Sequence, residues 1–190
     1  MTSRLVVLTG YLLTGRTTVS KYLARLGFHY VCNEDVSREL FDRSYTELPN
    51  GQGFHGKVWE EVNRRKFTGL MKPQDTVVDS ASPYNWQRVS LLDTSGLPLD
   101  MSVEKYLLFL RSTRETIARR FVDMRPDRSH EYIQQRIDQW ESEIWEDIDE
   151  NLKNQYTILS YENNTQEDLE AIKMDLRRRF ERRDPLLVPP

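Results

Sequence analysis

Two hydrophobic periods alternate along this chain. Leu5-Val6-Val7-Leu8 is an unbroken apolar run, the pattern of a strand buried on both faces, and it stops at Gly10. Beyond Gly15 the apolar residues Val19, Tyr22, Leu23 and Leu26 recur at i, i+3, i+4 and i+7, which predicts a helix with Arg16, Thr17 and Thr18 in its first turn. Phe28 to Cys32 is aromatic and β-branched, hence a second strand, ended by Asn33-Glu34-Asp35. A helix is expected from Val36 with Asp35 or Asn33 as its cap. Residues 44–53, containing Pro49-Asn50-Gly51, carry turn chemistry, and an amphipathic helical segment runs from Phe54 to Met71.

Thr76 to Asp79 reads as a third short strand. It leads through Ser80, Ala81, Ser82 and Pro83 into a helix bearing Trp86, Val89, Leu91 and Leu92, closed near Gly96. Tyr106 to Leu110 is a fourth strand, and Thr113 to Asp123 a helix with Ile117 and Phe121 inward. After a break at Met124 to Ser129, Ile133, Ile137, Trp140, Ile144 and Ile148 predict one long amphipathic helix from His130. Tyr156 to Leu159 is a fifth strand. Asn163-Asn164-Thr165 then turns into a last helix with Leu169, Ile172, Leu176 and Phe180. Five strands alternating with helices predict an α/β fold with a parallel sheet covered on both faces. Ligands gather at the carboxyl ends of such strands, here Gly10 to Thr17, Asn33 to Asp35, Asp79 to Ser82, Arg111 to Arg114 and Tyr161 to Thr165.

Composition narrows the classes. A chain of 190 residues, 38% of them hydrophobic, fits one domain, taken as residues 1–183 with a proline-containing tail at 184–190. A net charge of −3 gives no global basic field for nucleic acid or a membrane surface. The single cysteine excludes an internal disulfide framework, and no apolar run approaches the roughly 20 residues of a membrane span. No secretory pattern opens the chain, so the cytoplasm is the expected compartment. Monomer and homodimer both stay open.

Candidate chemistry begins where the first strand ends. Gly10 and Gly15 bracket four residues and are followed by Arg16, Thr17 and Thr18, the G-x-x-x-x-G-[K]-[T] spacing of a phosphate-binding loop with arginine in the lysine position. In such a loop, backbone N–H groups and a helix N-terminus converge on a polyphosphate; Gly10, Thr14, Gly15, Arg16, Thr17 and Thr18 are the candidate nucleotide contacts. Arginine keeps the charge but replaces a point with a planar fork. The Thr17 hydroxyl is placed to ligate Mg²⁺, and Asp79 to hold the metal through water; otherwise Thr17 is an ordinary first-turn residue and Asp79 a cap. Asp35 and Arg38 lie three apart at a helix start. They could orient an acceptor hydroxyl and grip its phosphate, or be an N-cap and a surface arginine. Arg119, Arg120, Arg125, Arg128 and Arg136 surround the Pro126 break. They suit a mobile lid closing over phosphoryl oxygens, with a solvated charged face as the plain alternative.

On these motifs and their order, from Arg4 to Phe180, the chain resembles the P-loop kinase superfamily, in particular the nucleoside monophosphate kinases with their deoxynucleotide and dephospho-coenzyme A kinase relatives. The matching pieces are the phosphate loop, the D-x-x-R start at Asp35 to Arg38, the Val77-Val78-Asp79 strand end, the arginine-rich lid and the turn Glu162 to Thr165. The resemblance implies a five-stranded sheet of order 2-3-1-4-5 and use of ATP with Mg²⁺. It also implies catalytic roles for Arg16, Asp35, Arg120, Arg125 and Arg128. Arg119 and Asn164 would be nucleotide contacts, and Asp35, Arg38, Arg88 and Arg136 would face a small-molecule phosphate acceptor. The chain departs from the adenylate kinase pattern after Asp79, where no arginine occurs before Arg88, and its lid is short. A kinase acting on a nucleotide or nucleoside-like acceptor is therefore expected. A nucleotide-binding protein with weakened catalysis, and a kinase for a hydroxyl in nucleic acid or for dephospho-coenzyme A, are the alternatives.

Overall fold

The computed structural model describes residues 2–11, 13–49, 53–72, 74–80, 84–142 and 148–181, with backbone alone at 46, 136 and 139–142. The expected Pro49-Asn50-Gly51 turn and the 81–83 connection fall partly or wholly outside these residues. So do Ile144 and the 184–190 tail.

Strand β1 (Thr2–Gly10) is followed by α1 (Arg16–Arg25), β2 (His29–Cys32), α2 (Asn33–Phe41), a 3₁₀ turn at Tyr45–Glu47 and α3 (Phe54–Met71). Then come β3 (Thr76–Asp79), α4 (Asn85–Leu92), β4 (Ser102–Arg111), α5 (Arg114–Met124), α6 (His130–Ser142), α7 (Glu150–Gln155), β5 (Thr157–Glu162) and α8 (Gln166–Phe180). All five strands are parallel, in the order β2-β3-β1-β4-β5. This α/β sheet has the order implied by the resemblance. β1 is central, so the loop leaving it opens between the ends of β3 and β4, with Leu8 opposite Asp79 and Gly10 opposite Leu110.

Alternation along β1 divides the core. Leu5 and Val7 join Val36, Val58, Val62, Leu70, Leu91, Leu92 and Leu152 on one face, beneath α2, α3, α4 and α7. Val6 and Leu8 face Val19, Leu23, Ile172, Leu176 and Phe180 of α1 and α8 on the other. Each of these fully buried strand side chains stabilises the fold by about 1.5–3 kcal/mol, so β1 is a firm base for the loop that follows it.

Two expectations are corrected. α2 starts at Asn33 with Cys32 in the N-cap position, so neither Asn33 nor Asp35 caps it, and Asp35 lies in the first turn, where its charge suits the helix dipole. The helix beginning at His130 is described to Ser142 and does not run through Ile148, because Asp149 starts a separate helix by accepting a hydrogen bond from the Leu152 N–H at 2.8 Å. The regular isoleucine spacing concealed that cap. β1, β4 and β5 also extend past their apolar runs, because ladder pairing continues through polar residues such as Thr2 opposite Ser102 and Arg111 opposite Glu162.

Candidate active site

The β1–α1 loop is held in a conformation that only its sequence permits. Gly10 has φ 148°, and a Cβ there would run into the Leu110 carbonyl; Gly15 has φ 90°, and a Cβ there would meet the Asn163 amide nitrogen. Leu13 is left-handed at φ 62°, a conformation costing a non-glycine residue of order 1–3 kcal/mol unless its surroundings hold it. They do. Arg120 Nη1 donates to the Leu13 carbonyl at 2.8 Å, and the Leu13 side chain packs against Phe121, Ile133 and Ile137 of the α5–α6 pair. Asn163 Nδ2 donates to the next carbonyl, Thr14, at 2.7 Å. Thr14 is itself buried and spends its hydroxyl on the Tyr11 carbonyl at 2.8 Å.

α1 then begins with no side-chain cap and no acid in its first turn, leaving its leading N–H groups for another partner. Thr17 and Thr18 are exposed on this turn. Thr17 Oγ1 donates to Asp79 Oδ2 at 2.9 Å, and Ser20 Oγ donates to the same oxygen at 3.2 Å. The Thr17 lone pairs are thereby turned away from Asp79, as a hard cation requires of a hydroxyl ligand. Asp79 is buried, and Arg16 Nη1 stands 3.8 Å from its Oδ1. Arg16 Nη1 is buried and has no hydrogen-bond partner among the described residues. An orphaned guanidinium nitrogen beside uncapped helix donors suits an anionic oxygen, so the residues present fit a nucleotide polyphosphate. With Thr17 and Asp79 alongside, they also fit Mg²⁺, which takes few protein ligands and keeps several waters.

The other side of the mouth is formed by β2, α2 and the end of β3. Asp35 and Arg38 are both exposed there, and Arg38 pairs with Glu34 at 2.9 Å. Glu34 also accepts from Ser44 Oγ and Tyr45 N, which ties α2 to the 3₁₀ turn. Asn33 Nδ2 donates to Ser80 Oγ at 2.9 Å, linking the ends of β2 and β3. Cys32 lies 4.0 Å from Asp79 Oδ2; burial pushes its thiol pKa up and Asp79 adds to the shift, so it is an inert thiol and not a nucleophile.

No protein-family model matches the sequence, and no curated relative does. Solved structures do match. A kinase from Chloroflexus aurantiacus, titled as putative, superposes with a TM-score of 0.65 at 14% identity, covering 94% of this chain and 98% of that one. A sugar kinase from Janibacter sp. HTCC2649 does so at 0.62 and 13%, covering 92% of each chain. Shikimate kinase from Bacteroides thetaiotaomicron follows at 0.59 and 15%, covering 94% and 98%. The chain has the P-loop kinase fold.

Within this kinase fold the arginines predicted for the lid separate into two groups. Arg119 and Arg120 are engaged at the base: Arg119 Nη2 donates to the Asn164 carbonyl at 3.2 Å, and Arg120 also reaches Ser112 Oγ at 3.2 Å. Burial and the neighbouring Arg119 lower the Arg120 pKa, without threatening its charge at neutral pH. Arg125 and Arg128 are exposed in the connection between α5 and α6, where Arg128 lies over the Tyr132 ring. Arg136 belongs to α6, and its side chain is outside the described residues. Asn164 accepts from the Thr113 N–H at 2.7 Å, joining the β5–α8 turn to the start of α5.

Arg88, expected to face the acceptor, is buried in α4, where its side chain donates to Asn85 Oδ1 at 2.7 Å and lies over the Phe109 ring. Arg88 precedes Leu91 and Leu92 by three and four residues, a spacing that places it on the inward stripe. Asn163 was the residue missed: the turn was recognised, but nothing in Asn163-Asn164 says which amide faces the loop.

Proposed function

We propose that this protein is an ATP-dependent kinase that moves the γ-phosphoryl group to a nucleotide or nucleoside-like acceptor. The observation that carries the reading is the buried Arg16 Nη1, without a hydrogen-bond partner among the described residues, beside Asp79 and Thr17 at the uncapped start of α1. ATP with Mg²⁺ would supply the activated phosphoryl group, a reaction that asks the protein chiefly for positioning and charge. Gly10 to Thr18 receive the phosphates, with Arg16 on their oxygens. Thr17 would hold the metal directly and Asp79 through water. Arg38 exchanges Glu34 for the acceptor's phosphate, and Asp35 orients the attacking hydroxyl or accepts its proton. Arg125 and Arg128, exposed in the α5–α6 connection, approach the transferring group as that pair closes, Arg128 leaving its 3.4 Å pair with Asp127.

The experiment is a panel of nucleosides, nucleotides and dephospho-coenzyme A incubated with labelled ATP and Mg²⁺. Label in a nucleotide or nucleoside product is the expected result. Transfer to dephospho-coenzyme A alone would move the acceptor elsewhere. ATP binding without transfer to any acceptor, with Arg16→Lys equally silent, would leave a binding protein instead of a kinase.

A further inference from the structure

We infer that Asn163 is a positioning residue of the phosphate loop: by holding the Thr14 carbonyl, it sets the Thr14–Gly15 peptide so that the Gly15 N–H faces the phosphate. The inference rests on the phosphate-site reading above and assigns a residue outside the Gly-to-Thr motif to that site.

A trans peptide carries its C=O and N–H on opposite sides of one plane, so a bond that fixes one fixes the other. Asn163 Nδ2 draws the Thr14 carbonyl towards the β5–α8 turn at 2.7 Å, which turns the Gly15 N–H away from that turn, at the head of the α1 donors. Asn163 is itself held rigidly. Its backbone N–H donates to the Arg111 carbonyl at 2.8 Å, its carbonyl accepts from Ser112 Oγ, and the residue is 1% exposed. Its Oδ1 is buried with no partner among the described residues, so the amide keeps this orientation although half of its hydrogen-bonding capacity goes unmet.

Gly15 and Asn163 are also fitted to each other. With φ 90° at Gly15, a Cβ would collide with Asn163 Nδ2, and the next nearest atom is Asn163 Cγ at 3.7 Å. The space beside Gly15 is therefore occupied by Asn163 alone among the described non-neighbours, and the glycine admits the amide as much as it admits a ligand. Arg120 acts in parallel on the preceding carbonyl, so two successive loop carbonyls are drawn towards α5 and the β5–α8 turn.

The test is calorimetric titration of inorganic tripolyphosphate with Mg²⁺ into wild type, Asn163→Ala and Asn163→Asp. It is joined by ¹H–¹⁵N spectra that follow the Gly15 amide. Wild type is expected to bind, with a marked shift of the Gly15 amide; no binding to wild type would remove the phosphate site itself and this inference with it. Asn163→Ala is expected to weaken tripolyphosphate about tenfold, the scale of one lost charge-assisted hydrogen bond, and to reduce the Gly15 shift. Asn163→Asp keeps the size but sets a second acceptor against the Thr14 carbonyl, so it is expected to lose at least as much; a space-filling role would make it the milder of the two. Gly15→Ala is expected to cost less in an Asn163→Gly background than in wild type. Wild-type affinity and an unchanged Gly15 shift in Asn163→Ala would overturn the inference. So would a milder Asp variant, or failure of every Asn163 variant to fold, which would make Asn163 a folding residue.

Discussion

Replacing Arg16 by lysine tests the site at the atom that carries the functional reading. In the free protein Arg16 Nη1 is buried, has no hydrogen-bond partner among the described residues and stands 3.8 Å from Asp79 Oδ1, with the two side chains 12% and 4% exposed. Lysine keeps the charge, so attraction to Asp79 largely carries over. What disappears is the orphaned donor, whose burial costs about 1–3 kcal/mol. The ammonium is more strongly hydrated than a guanidinium, which returns part of that gain and leaves about 1 kcal/mol in favour of the variant. For a chain of 190 residues that is a rise in melting temperature of about 2–4 °C without ligand. With ATP the order reverses, because the fork can meet two phosphate oxygens where lysine meets one; a difference of about 1.4 kcal/mol is tenfold in Kd. The assay is thermal unfolding with and without ATP–Mg²⁺, supported by calorimetry and by turnover on the acceptor identified in the panel. Wild type is expected to turn over within the kinase range of about 1–100 per second, with Arg16→Lys neutral or slower. A variant that melts no higher than wild type without ligand and binds ATP as tightly would refute the argument that this nitrogen awaits a phosphate. A higher kcat in the variant would mean that arginine is a loss at this position.

Three further outcomes are expected. Arg38→Ala raises the acceptor KM and lowers kcat/KM by about 1.5–3 kcal/mol with little change for ATP, while stability barely moves because its exposed pair with Glu34 is worth about 0.3–0.5 kcal/mol; an effect on ATP alone would reverse the assignment. Lys66 is fully buried, donates to the carbonyls of Ser90, Leu91 and Asp93, and is pushed down by burial to about 8. The unfolded chain keeps that proton up to about pH 10.4, so between pH 8 and 10 the unfolded state binds more protons; wild-type stability measured against Lys66→Met then rises with pH, by up to about 3 kcal/mol, and parallel urea-unfolding curves across that window would contradict it. A bisubstrate analogue slows amide exchange in α5 and α6 as they close over the site, and unchanged exchange would favour a solvated charged face.

The sequence by itself determined the elements and the loop chemistry, because both are local. Leu5 to Leu8, Gly10, Gly15 and the stripe from Val19 to Leu26 lie within a few turns of one another, and periodicity reports directly which face an element buries. The inward placement of Lys66 went unread, because a lysine does not register in an apolar stripe, although it falls at the spacing of Val58, Val62 and Leu70 along α3. Only the tertiary structure decided which side chains close on the loop. Arg120 and Asn163 lie 107 and 149 positions from the carbonyls they hold, and they arrive there because β4 pairs with β1 and β5 with β4, all in parallel register. Side-chain pattern says that a turn follows β5. Strand order and the few ångströms between neighbouring strand ends decide that Asn163, and not Asn164, faces Gly15.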